Sequence, residues 1–154
     1  MVLATDQITK YLIMTRLSVG GTVDVFPHFF RIVSVRNKGI VFGLFSQGSV
    51  QNSQWIFIGF TVAAMAAIIV YSERKKISGS LEFYPLALIL GGAAGNLVDR
   101  ILRGRVIDFL DFSIRDRHWP AFNVADSGIV IGVTILLIQQ WIEEKNQKRA
   151  SVGQ

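Results

Sequence analysis

From residue 55 to residue 71 the chain reads WIFIGFTVAAMAAIIVY, without one charged side chain. As a helix rising ~1.5 Å per residue, this run covers roughly 26 Å, close to the ~30 Å hydrocarbon core of a bilayer. Trp55 and Tyr71 bracket it in the manner of interfacial anchors. A chain of 154 residues, one domain by length, must bury such a segment on every side or place it in lipid. Composition favours lipid. The chain is 51% hydrophobic and only 18% charged, against roughly 25% charged in soluble domains, and its mean hydropathy is +0.42.

Two further spans are expected. One runs from about Phe83 to Arg100, with Tyr84 at one edge and Asn96, Asp99 and Arg100 at the other. The next has a strictly apolar part, Gly128–Ile138, that reaches only about 16 Å as a helix. It crosses only if it runs from about Phe122 to Ile142, which draws Asn123 and Asp126 to the membrane rim. There a charge is costly, by about 2.5–3.5 kcal/mol at mid-helix and less near the interface. The connection through residues 103–120 then puts Asp99, Asp108, Asp111 and Asp126 on one face of the membrane. The first 17 residues hold Asp6, Lys10 and Arg16 and show no clean span. Residues 29–45 alternate loosely around Asn37-Lys38-Gly39, which signals a hairpin with positive φ at Gly39. A small β element of about 25–50 is expected there, outside the bilayer and lying on it.

The absence of cysteine excludes disulfides, thiolate metal sites and cysteine nucleophiles. His28 and His118 lack a metal-binding spacing, so neither metal nor cofactor is expected. The net charge of +5 comes from basic residues beside the apolar spans. Anionic lipid headgroups, not nucleic acid, are the expected contact.

The polar residues repeat a pattern, Asn-x-x-Asp, as NLVD at 96–99 and NVAD at 123–126. Each pair shares a helix face. The second pair also fits a capping box, with Asn123 as N-cap and Asp126 three residues on. The first fits an interfacial Asp–Arg pair less easily, because Asp99 lies near a helix C-terminus, where the dipole disfavours negative charge. In VIDFLDF, 106–112, Asp108 and Asp111 interrupt an apolar string. They read either as an amphipathic turn or as carboxyls whose desolvation raises their pKa. Two such carboxylates sharing a proton would support aspartic-protease chemistry.

The motifs DQITK (6–10), NKGIVFG (37–43), GGAAGNLVDR (91–100), VIDF (106–109) and FNVADS (122–127) occur in that order. Together they resemble the bacterial lipoprotein signal peptidase (signal peptidase II) family over nearly the whole chain. The resemblance implies an α-helical polytopic membrane protein, a four-helix transmembrane bundle with a small extracytoplasmic β-cradle. It implies an aspartic endopeptidase, monomeric and without cofactor, that cleaves diacylglyceryl-modified prolipoproteins before the lipidated cysteine. The enzyme would sit in the inner membrane, with cytoplasmic termini and an extracytoplasmic site. The matched catalytic pair is Asp108 and Asp126. Asn37, Gly39, Asn96, Arg100 and Asn123 match substrate-binding or supporting positions, and Asp6 and Lys10 match the first-helix motif. Asp99 falls outside the dyad and is expected to pair with Arg100. Only Met1–Thr5 precede DQITK here, so the first helix reads as shortened and an in-frame apolar run is expected upstream of Met1. Two competing classes are a proton-coupled membrane carrier and a non-catalytic membrane assembly factor whose Asn and Asp groups bind helices together.

Overall fold

The structure, a computed structural model, describes residues 1–39, 50–75, 80–114 and 117–152. Among them the chain runs α1 (Val2–Arg16), β1 (Thr22–Phe26), β2 (Phe30–Asn37), α2 (Val50–Lys75), α3 (Ser80–Arg103), β3 (Val106–Ile114), β4 (Arg117–His118) and α4 (Val124–Val152). It is a helical membrane protein with a small β domain. Three helices are long and apolar enough to cross a membrane, over Gln54–Lys75, Leu81–Arg103 and Val124–Ser151. The first of these windows has a mean hydropathy of 2.1 and none of it is buried within the protein. Such a helix is stable only with its sides in lipid.

α3 and α4 form the most extensive helix pair, and glycines let their backbones meet. A Cβ on Gly92 would stand 2.3 Å from the Ala125 carbonyl oxygen, and one on Gly132 would stand 2.6 Å from that of Pro85. Pro85 has no N–H to give the Leu81 carbonyl one turn back. Gln139 of α4 supplies the missing donor, its Nε2 bonding Leu81 O at 2.6 Å.

α1 is built inside out. Asp6 and Lys10 are wholly buried against its neighbours, whereas Ile8, Tyr11 and Leu12 are exposed. That is why residues 1–17 show no span by hydropathy: the charges face protein and the apolar residues face outward.

The sheet is four-stranded and antiparallel among the described residues, in the order β1-β2-β3-β4. It departs from the expected β element in two ways. The turn of the hairpin lies between β1 and β2, ahead of Phe30, while Asn37-Lys38-Gly39 ends β2. Gly39 does take positive φ, +80°; residues 40–49, the rest of the expected element, lie outside the described residues, as do Lys76 and Arg115. The other departure is that 103–120, expected as a polar connection, supplies β3. Val106, Ile107, Asp108 and Phe109 are all buried. A strand covered on both faces shows no alternation, so its apolar run carries no strand period. Gly104, at φ +67°, ends α3 in the left-handed conformation and turns the chain into β3.

The α3–α4 contact yields a prediction. Gly92→Ala drives a methyl into the Ala125 backbone and should cost about 1–3 kcal/mol. Gly59, with nothing within 4 Å of a Cβ, should accept alanine at no cost. Thermal unfolding of both variants in detergent checks the contrast.

Candidate active site

The polar residues of the two Asn-x-x-Asp motifs converge with β3 through a chain of side-chain amides. Asn123 Nδ2 donates to Asp108 Oδ1 at 2.7 Å and lies 3.2 Å from Asn96 Oδ1. Asn96 Nδ2 donates to Asp126 Oδ1 at 2.7 Å. Thus Asp108 on β3 and Asp126 on α4 are joined through two buried amides from α4 and α3. The two aspartates lie in different elements, β3 and α4, and the bridge between them exists only in the fold.

Local physics places each member. Asn123 and Asp126 form the reciprocal capping box that the spacing allows: Asp126 N–H donates to Asn123 Oδ1 at 2.9 Å, and Asn123 N–H to Asp126 Oδ2 at 3.2 Å. The capping and the bridging are not rivals, because the Asn123 oxygen caps while its NH₂ reaches Asp108. Asp126 sits in the first turn of α4, at the positive end of the helix dipole. Asp108 is set by strand register. Asn37 pairs with Val106, two residues before Asp108, and this diagonal separation lets Asn37 Nδ2 donate to Asp108 Oδ2 at 3.0 Å. Asn37 Oδ1 accepts the Gly39 N–H at 2.8 Å, which fixes the orientation of the amide.

Asp108 is 2% exposed. Burial, reinforced by the charge of Asp126, pushes its pKa up to about 6 against the opposing hydrogen bonds of Asn37 and Asn123. Arg100 lies 5.6 Å from the Phe57 ring centroid and donates to Asn96 O at 3.3 Å. Gly39 meets the same ring, since a Cβ there would stand 2.6 Å from Phe57 Cε2.

The expected Asp99–Arg100 pair is corrected. Asp99 turns away from Arg100 and pairs with Lys10 Nζ at 2.8 Å, with Arg103, and with the Ile107 N–H at 3.1 Å. Adjacent residues on a helix point about 100° apart, so Asp99 and Arg100 cannot share a face. Lys10 also pairs with Asp6 at 2.8 Å and donates to Asn96 Oδ1 at 3.0 Å. Three residues of this region were not singled out from the sequence. Gln7 bonds Asp6, Asp99 and the Gly95 carbonyl, Arg103 pairs with Asp99, and Phe57 carries Arg100. Only Gln7, inside DQITK, had a motif to mark it. Asp111 belongs elsewhere: it pairs with Arg31 opposite it on β2 and with His118.

These features define a polytopic membrane protein whose buried amides hold a pair of aspartates where a strand meets a helix N-terminus. The profile of signal peptidase (SPase) II matches residues 1–142. The chain is 44% identical over 141 residues to the lipoprotein signal peptidase of Solibacter usitatus, covering 90% of this chain and 84% of that one. It is 40% identical to that of Geobacter metallireducens, covering 96% and 90%. A bacterial membrane enzyme solved by the in meso method superposes with a TM-score of 0.82 at 33% identity, covering 94% of this chain and 85% of that one. The chain belongs to the signal peptidase II family.

The buried setting of Asp108 predicts its titration. Its pKa is raised, so the protonated carboxyl persists as pH rises past 4 and is lost only near 6. Infrared difference spectra between wild type and Asp108→Asn should show the protonated-carboxyl band fading through pH about 6. Fading near pH 4 would mean that the side chain is solvated.

Proposed function

We infer that this protein removes signal peptides from prolipoproteins as a membrane aspartic endopeptidase, with Asp108 and Asp126 as its catalytic pair. The observation that carries the residue assignment is the amide chain Asp108–Asn123–Asn96–Asp126. It links the two carboxyls at a helix terminus through two amides and leaves Asp126 half-buried, open to water and a peptide. Asp108, nearly inaccessible and with its pKa raised, is the member that keeps the shared proton.

The reaction follows from those environments. Asp126, at the α4 N-terminus, takes a proton from a water molecule as the oxygen attacks the scissile carbonyl carbon. Asp108 donates a hydrogen bond, then its proton, to the carbonyl oxygen, so that a neutral tetrahedral intermediate forms without free charge. On collapse the proton held by Asp126 passes to the leaving amine, and the carbonyl reforms as its proton returns to Asp108. Asn96 and Asn123 keep the carboxyls in register through the cycle. Arg100, supported on Phe57, offsets the negative charge of the pair and orients the peptide. Asn37 and Gly39, at the end of β2, border the site where the peptide backbone would lie.

The bond cleaved in this reading precedes a cysteine carrying diacylglycerol, which brings the peptide to the site from within the lipid. The active site then faces the extracytoplasmic side of the inner membrane and the termini face the cytoplasm. The basic α2 and α4 ends, with Arg74, Lys75, Lys145, Lys148 and Arg149, accord with that orientation. The elements serve one peptidase domain, monomeric and bounded by lipid. A proton carrier would need acids near mid-bilayer on broken helices, whereas Asp108 lies on a strand and Asp126 in the first turn of a helix.

Asp108→Asn and Asp126→Asn should each lower cleavage of a diacylglyceryl-modified prolipoprotein by about 10³-fold or more, with membrane insertion unchanged. Gel-resolved conversion of the purified substrate measures it; near-normal processing by either variant removes that residue from the pair.

A further inference from the structure

Lys10 is wholly buried, as are the two carboxylates that contact it, Asp6 and Asp99. Taking three charges out of water is costly, and a buried ion cluster is often no more stable than apolar side chains of the same volume. Stability is therefore a weak reason for this arrangement, and the far ends of the two carboxylates are more informative. Asp6 Oδ1 accepts the backbone N–H of Ala125 at 2.9 Å. Asp99 Oδ2 accepts the backbone N–H of Ile107 at 3.1 Å. Ala125 immediately precedes Asp126, and Ile107 immediately precedes Asp108.

We propose that Lys10 is a positioning residue that sets the separation of Asp108 and Asp126, by clamping together the two carboxylates that grip the backbone one residue before each. The proposal rests on Asp108 and Asp126 being the catalytic pair. The ammonium has three donors, and each leads to that pair. Through Asp6 it holds the first turn of α4. Through Asp99 it holds the start of β3. Through Asn96 Oδ1, at 3.0 Å, it holds the amide that bonds Asp126 and adjoins Asn123. Gln7 and Arg103 complete the cluster on Asp99, with Gln7 also bonding Asp6. α1 thereby fastens two elements, β3 and α4, whose aspartates must meet, although it contributes no group to the reaction. Catalysis depends on such spacing steeply, since misplacement of about 1 Å can cost 10²-fold.

Two variants cut the clamp from opposite sides while leaving each wholly buried charge with one charged partner. Lys10→Met/Asp6→Asn leaves Asp99 paired with Arg103 and leaves an amide oxygen to accept the Ala125 N–H. Asp99→Asn leaves Lys10 paired with Asp6 and an oxygen for the Ile107 N–H. Each should lower kcat on the lipidated prolipoprotein about 10–100-fold, with KM within about threefold and the melting temperature in detergent within a few degrees of wild type. In Asp99→Asn, which keeps the Lys10 charge that opposes the Asp108 shift, the Asp108 carboxyl band should fade at lower pH than in wild type, because the aspartates have moved apart. A kcat within twofold of wild type in either folded variant overturns the proposal, as does failure of both to fold, which would make the cluster merely structural. Asp108→Asn in the same assay keeps the two readings apart: if it still cleaves, the catalytic pair itself is wrong, whatever the Lys10 variants do.

Discussion

A buried ammonium held between two buried carboxylates is the constraint on which the rest of this structure depends. Asp6, Lys10 and Asp99 have no access to solvent, so none can be left without any charged partner. α1 must therefore present its polar face to α3 and α4, and its apolar residues are left to the outside. In water such a helix would be inverted. It is stable only where the surroundings are less polar than the interior, which ties the fold to the membrane as firmly as the apolar runs of α2, α3 and α4 do.

The same cluster explains how β3 and α4 come to share a site. β3 enters from the α3 C-terminus through the left-handed Gly104, and α4 begins at the Asn123 cap. Both starts are gripped through backbone N–H groups by acids that Lys10 joins. The amides of Asn96 and Asn123 then span the remaining gap between Asp108 and Asp126. Burial raises the Asp108 pKa, so the pair is asymmetric: one carboxyl is enclosed by protein and the other opens toward the surface. This asymmetry suits one member to hold a proton and the other to receive one.

Signal peptidase II relatives match along most of the chain, and the polar clusters map onto residues that the sequence already marked by their cost. A carboxylate or amide inside an apolar span demands a partner. That demand made Asn96, Asp99 and Asp126 legible before any partner was known, whereas Lys10 was marked only by the motif it shares with the family. Phe57 and Arg103 were not legible, because an aromatic residue in a membrane helix and an arginine at a helix end have ordinary explanations. β3 was missed for a related reason. A strand buried on both faces has no polar alternation, and VIDFLDF is as apolar as a turn lying on a membrane.

What the sequence determined by itself is the solvent and the inventory: spans too apolar for water, polar groups too expensive to be idle, and a motif order that matches one peptidase family. Local chemistry was also readable, as in the capping box of Asn123 and Asp126, since hydrogen bonds three residues apart follow from helix geometry. Which acid faces which base was decided only by the tertiary structure. Asp99 turns to Lys10 instead of Arg100, and Asn123 reaches Asp108, because those pairings depend on how α1, α3, β3 and α4 rotate against one another. Helix rotation is set by close packing at Gly92, Gly95 and Gly132, a long-range steric fit that no local spacing encodes.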